Sequence, residues 1–191
     1  MNYKESKKYF KRLGDYIQLV DSRNKELSIT NLLGINISKN FMPSIANTSN
    51  IDLSRYKIIS KDQFATNIMH VGRDERLPVA LYGFVEPAII SPAYMTFEVI
   101  DQNELLPEYL MITFQRSEFD RLSWYYCDSS IRGGLEWERL CEMKIPIPDI
   151  EEQQKQVMLY NALLFNQKSY ENSLADLQLI CDTFIENLIK T

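Results

Sequence analysis

The sequence predicts an α+β protein: a mixed-strand globular domain over residues 1–148, followed by one long, coiled-coil-forming α-helix over 149–191. Three observations carry this. Short β-branched and aromatic stretches separated by polar loops fill the first part of the chain. Pro146 and Pro148, in IPIPD, forbid helix just before them, because each ring removes an N–H donor and biases the preceding residue toward extended backbone. Beyond Pro148 the chain has neither Pro nor Gly, and its apolar residues recur at helical spacing.

Taken in order, LLGINI (32–37), KIIS (57–60), FATNIM (64–69), VALYGFV (79–85) and MTFEVI (95–100) read as strands, from their β-branched and aromatic content and the loops that bound them. PEYLMITFQRSEFDRLSW (107–124) reads as one helix with Pro107 in its first turn. LEWERLCEM (135–143) reads as a short helix feeding the IPIP strand. Asp149 is placed to cap the long helix, with Glu151 and Glu152 in the first turn, where the positive end of the helix dipole favours carboxylates.

Along that helix Tyr160, Leu163, Gln167, Tyr170, Leu174, Leu177, Cys181, Phe184 and Leu188 alternate steps of three and four, the spacing of a coiled-coil seam with one polar position. Leu159, Leu164, Leu179, Ile180, Ile185 and Ile189 widen the apolar face, while NQKSYENS (166–173) is a polar gap. A terminal helix docked along its own domain is the other arrangement, and length argues against it. About 40 residues at ~1.5 Å per residue reach ~60 Å, whereas a domain of about 150 residues is about 30 Å across. The seam therefore predicts a partner helix, most simply from a second copy of this chain.

Composition narrows the function classes. No run of about 18 apolar residues offers a membrane span, and MNYKESKKYFKR has no apolar signal-peptide core. Cys127, Cys141 and Cys181 are odd in number and lack CxxC spacing, which suits thiols in a reducing cytoplasm. A single histidine, His70, disfavours a His-rich metal site or a His-based relay; its ordinary role is a structural hydrogen bond. There is no Gly-rich phosphate loop and no GxSxG elbow, and the paired prolines of an adenine-methyltransferase active-site loop do not occur. Neither catalytic residues nor cofactors are expected, and the chemistry points to binding. The net charge of −5 is uneven: the segment from Glu151 on holds six acids against three lysines, leaving 18 bases against 20 acids upstream. Lys4, Lys7, Lys8, Lys11 and Arg12 cluster at the start, and Arg73, Arg76, Arg116, Arg121 and Arg132 recur later. A local basic face in a near-neutral domain is compatible with DNA.

Several segments go further. RLGDYIQLVDSRN (12–24), IDLSRYKIISKDQFATN (51–67), IISPAYMTFEVID (89–101) with its Ser-Pro-Xaa-Tyr turn, LPEYLMITFQRSEF (106–119) and, most specifically, SIRGGLEWERLCEMKIPIPDIEEQQKQV (130–157) follow one another at family-like spacing. With these, almost the whole chain resembles a target-recognition domain and helix of a type I restriction-modification DNA specificity subunit. Members commonly carry two such domains and two helices; this chain has one of each and looks like a half-subunit, whether natural or part of a longer chain.

The resemblance implies a subunit that reads one half of a double-stranded DNA site. It docks an adenine methyltransferase subunit through the helix, accommodates a restriction subunit, and leaves S-adenosylmethionine chemistry to that partner. Two chains joined by antiparallel helices would read an inverted repeat with a fixed spacer. Because base edges are read by side-chain donors and acceptors, the polar loops between strands become the candidate readers. These are Ser38, Lys39 and Asn40; Asn67; His70, Arg73 and Arg76 in HVGRDER; and Ser129 and Arg132 in SSIR. Arginines there suit guanine or phosphate, and Asn40 or Asn67 suits adenine, although Asn67 could equally serve a turn. A self-contained DNA-modifying enzyme and a coiled-coil scaffold without DNA binding remain open as other classes.

Overall fold

The computed structural model describes residues 10–44, 51–127 and 134–189, with the side chains of 70, 72, 73 and 182–189 left aside. Its architecture is α+β, as the sequence predicts. Among the described residues the strands are β1 (Phe10–Arg12), β2 (Ile17–Val20), β3 (Leu32–Ile35), β4 (Phe41–Pro43), β5 (Lys57–Ile59), β6 (Gln63–Thr66), β7 (Val79–Leu81), β8 (Ala88–Ile90), β9 (Met95–Val99) and β10 (Lys144–Pro146). The α-helices are α1 (Val71–Asp74), α2 (Pro107–Gln115), α3 (Ser117–Tyr126), α4 (Trp137–Glu142) and α5 (Ile150–Ile189). Two compact units result, residues 1–153 and 154–191.

Within the first unit the strands form an antiparallel sheet of order β2-β9-β6-β7 and a mixed sheet of order β4-β3-β8-β5, with β1 and β10 paired as a separate ribbon. Side chains alternate sides along each strand, so β6 serves two cores. Phe64 stacks on Phe97 at 4.9 Å between ring centroids, and Phe114 of α2 stands edge-on to both. On the other side Ala65 joins Leu33, Ile59, Tyr82, Ala88 and Ile90 between the sheets.

The segment 107–124, expected as one helix, is two. Arg116 is extended (φ −71°, ψ 137°) and separates α2 from α3. The break has a packing cause: on a continuous helix residues 114 and 119 would point about 140° apart. Here Phe114 packs on the Phe64–Phe97 stack and the Phe119 ring meets Phe114 at 4.8 Å. The strand expected over 64–69 stops at Thr66, because the Asn67 side chain accepts the Met69 amide at 3.1 Å and starts a 3-10 turn. The strands expected over 32–37, 57–60, 79–85 and 95–100 end at Ile35, Ile59, Leu81 and Val99.

Gly14 lies in a 3-10 turn (Leu13–Asp15) against α4; a Cβ built on it would lie 2.6 Å from that of Cys141. Asp149 caps α5 by accepting the Glu152 amide at 2.9 Å. One turn in, Gln153 is fully buried. It accepts the Leu106 amide at 2.9 Å and donates to the carbonyls of Glu104 (2.9 Å) and Pro148 (2.8 Å).

One end of both sheets gathers several of the loops. Strand β2 ends at Val20 opposite Thr96, β6 ends at Thr66 opposite Met95 and Val79, and β8 ends at Ile90 opposite Lys57 and beside Leu33. Residues 21–25, 36–40, 55–57, 67–78 and 91–94 therefore share one rim.

Candidate nucleic-acid interface

The rim is organised by a hairpin tip. Strands β3 and β4 join through Asn36–Asn40, with the Lys39 amide donating to the Asn36 carbonyl and the Asn36 amide to the Asn40 carbonyl, both at 3.0 Å. Lys39 takes the left-handed position (φ 62°) that such a three-residue turn usually gives to Gly. Asn36 Oδ1 accepts the Asn40 amide, and Asn40 Nδ2 donates to the Ser38 carbonyl, each at 2.9 Å. Ser38 and Asn40 are exposed.

Lys39 is turned inward, contrary to its expected place among the base readers. Its side chain is 6% exposed, and Nζ donates to the Phe114 carbonyl at 2.5 Å and to Asp120 Oδ1 at 2.6 Å. The same Asp120 oxygen accepts the Leu77 amide at 3.0 Å. One carboxylate on α3 thus fixes both the hairpin tip and the segment that follows α1. Burial pulls the Lys39 pKa down, Asp120 opposes that, and the nearby Arg76 guanidinium adds to the fall.

Between these segments lies a hollow of about 330 Å³ whose lining includes Asn36, Ile37, Asn67, Asp74, Arg76 and Tyr94. The Tyr94 hydroxyl, at the end of the Ser91–Tyr94 turn, accepts the Ile35 amide at 3.3 Å and ties that turn to the hairpin. Of the residues expected to face DNA, Asn67 and Arg76 line this hollow, and the hairpin tip contributes Asn36 and Ile37 rather than Ser38, Lys39 or Asn40. Arg76 is exposed. Asn67 has the turn role left open by the sequence, with its side-chain oxygen committed to the Met69 amide. His70 closes the 3-10 turn and Arg73 lies in α1, but their side chains, like Ser129 and Arg132 altogether, lie outside the described residues.

Sequence reasoning missed Asn36, Tyr94 and Asp120. Asn36 and Tyr94 stand beside segments already singled out, so an Asn opening a tight hairpin and the Tyr of a Ser-Pro-Xaa-Tyr turn were available signals. Asp120 had none, because its partner Lys39 lies 81 residues away in the chain.

The second unit continues α5, a helix of 40 residues that begins at Ile150. Leu163, Tyr170, Leu174, Leu177 and Cys181 of the seam are exposed and Tyr160 is half-exposed; the side chains of Phe184 and Leu188 lie outside the described residues. In the polar gap, Gln167 bonds Glu171 at 2.8 Å and the Ser173 hydroxyl bonds the Ser169 carbonyl at 2.9 Å, so this stretch satisfies itself along the helix. Among the described residues no helix is long and apolar enough to cross a membrane.

No protein-family model and no curated protein matches this sequence. Solved structures do. The HsdS subunit from Thermoanaerobacter tengcongensis aligns with a TM-score of 0.60 and 15% identity over 88% of this chain and 45% of its own. The S subunit of the type I restriction-modification system from M. genitalium aligns at 0.50 and 16%, over 91% of this chain and 43% of its own. A chain from a structure describing complex assembly and conformational transition of a type I R-M system aligns at 0.55 and 11%, over 87% and 40%. This chain spans less than half the length of each. It has the fold of one half of a type I restriction-modification specificity subunit.

Proposed function

We propose that this chain is a non-catalytic DNA-specificity subunit that reads one half-site and docks an adenine methyltransferase subunit, with a restriction subunit as a further partner. The observation that carries this reading is the convergence of Asn36 and Ile37 from the hairpin tip, Asn67 and Arg76 around one hollow on the rim. Around it the Asn36 and Asn67 side chains fix the local backbone through their oxygens, and the exposed Arg76 supplies a guanidinium, the group that pairs with guanine O6 and N7. Lys39 and Asp120 hold the tip in shape behind them. In a pair of chains joined along α5, the two-fold axis makes the two half-sites an inverted repeat with a spacer set by the helices.

The division of labour is testable with labelled S-adenosylmethionine, cognate DNA and the methyltransferase partner. Transfer is expected only when both proteins are present, and it is lost when the helix from Gln154 onward is deleted, which leaves the first unit whole. Methyl transfer by this chain alone would make it a self-contained modifying enzyme and overturn the reading. Assembly without any DNA binding would make it a scaffold.

A further inference from the structure

The rim carries a second set of cations, away from the hollow and outside every segment expected to touch DNA. Residues 22–24 are clipped to the start of β5: the Asn24 amide donates to the Tyr56 carbonyl at 3.0 Å and the Ile58 amide to the Ser22 carbonyl at 2.8 Å. Arg23 spends its guanidinium on this join. Nε and NH2 hold the two oxygens of Asp21 at 2.8 and 2.9 Å, and NH1 donates to the Arg55 carbonyl at 2.8 Å. The backbone of Arg55 is therefore fixed by a bond from a guanidinium that is itself locked. Tyr56 is buried, and Arg55 and Lys57 flank it.

The charge of this corner is only partly compensated. Both Asp21 oxygens belong to Arg23, and Asp52 caps its own turn through the Ser54 amide at 2.9 Å. Arg55 is exposed. Lys57 has 12% of its side chain exposed and makes only a long ion pair, its Nζ 3.7 Å from Asp21 Oδ1. Three cations thus face two carboxylates that already have partners. The Lys57–Ile90 register places the corner on the same rim as the hollow, with the 91–94 turn between them.

We propose that Arg55 and Lys57, set in place by Arg23, form a phosphate-contact site for the backbone of double-stranded DNA whose base edges enter the hollow. The proposal rests on the DNA-specificity reading above. Base contacts specify only if the duplex is held in register, and phosphate contacts from preset side chains supply that register. A planar guanidinium matches the phosphate oxygens two at a time, and a lysine serves as a point charge.

The test is a salt series of binding by the full chain to a short random-sequence DNA duplex, read by fluorescence anisotropy. Arg55→Gln and Lys57→Gln should each flatten the slope of log affinity against log salt by about one unit, and together by about two. The loss of affinity should be uniform across sequences, whereas Arg76→Ala in the hollow shifts sequence preference. Arg55→Gln changes an exposed side chain and decides the matter even where Lys57→Gln impairs folding, which circular dichroism would register. A variant that keeps the wild-type slope and affinity overturns this site while leaving the specificity reading intact. Wild-type protein without salt-dependent DNA binding overturns both.

Discussion

Asp120 holds the Lys39 ammonium at 2.6 Å and the Leu77 amide at 3.0 Å with the same oxygen, Oδ1, so one carboxylate sets the shape of two rim segments. Their side chains are 6% and 13% exposed. Removing one partner of such a pair leaves a buried charge uncompensated. Asp120→Ala should therefore cost about 3 kcal/mol of stability, measured by chemical denaturation. Lys39→Met, which removes the buried cation itself, should cost less. Equal stability for wild type and Asp120→Ala would remove the pair from its role in holding the rim.

Gly14 is required by a close approach rather than by its backbone angles. Its missing Cβ would stand 2.6 Å from Cys141 Cβ and 3.0 Å from the Cys141 carbonyl oxygen. Overpacking of this kind costs about 1–3 kcal/mol, so Gly14→Ala should lower the melting temperature. The clash is with Cβ, so adding Cys141→Ala should not rescue it. A rescue would place the conflict at the thiol instead.

Gln153 answers three backbone groups at once, those of Leu106, Glu104 and Pro148. Each buried group left unmatched costs about 1–3 kcal/mol, and Gln153→Ala strands all three. The variant should be among the most destabilising single changes near the end of the first unit. Gln153→Glu should be at least as damaging, because a carboxylate would face two carbonyl oxygens. A wild-type denaturation midpoint for either would contradict this.

How far the sequence discloses this molecule depends on the range of the interaction. Pro107, Pro146, Asp149 and the three-four spacing of the last helix act over a few residues, and the corresponding features form where expected. The break at Arg116 does not register locally, because Phe114 packs on the Phe64 and Phe97 rings of two strands and Phe119 packs on Phe114. The strand pairing brings the polar loops to one rim, but which way each side chain points depends on distant partners. Lys39 reads as a loop cation until Asp120 turns it inward. Arg23 and Arg55 lie in segments that only the resemblance singles out and Lys57 opens an expected strand, and their convergence appears only once β5 pairs with residues 22–24.

On α5, Leu174 and Leu177 are 58% and 59% exposed. If the seam joins two chains, Leu174→Asp with Leu177→Asp places unpaired carboxylates in that contact and should break it. Light scattering at micromolar concentration should give a dimer for wild type and a monomer for the double variant. An unchanged mass would exclude this stretch of the seam from self-association.

The central claim is that this chain chooses where a separate methyltransferase acts, and the most direct measurement is a map of methylated adenines in DNA modified by the two proteins together. The expected result is methylation confined to one inverted repeat with a constant spacer, with relaxed choice at a single position of each half when Arg76 is replaced by Ala. Methylation scattered without regard to sequence, or an identical map from the partner alone, would contradict it.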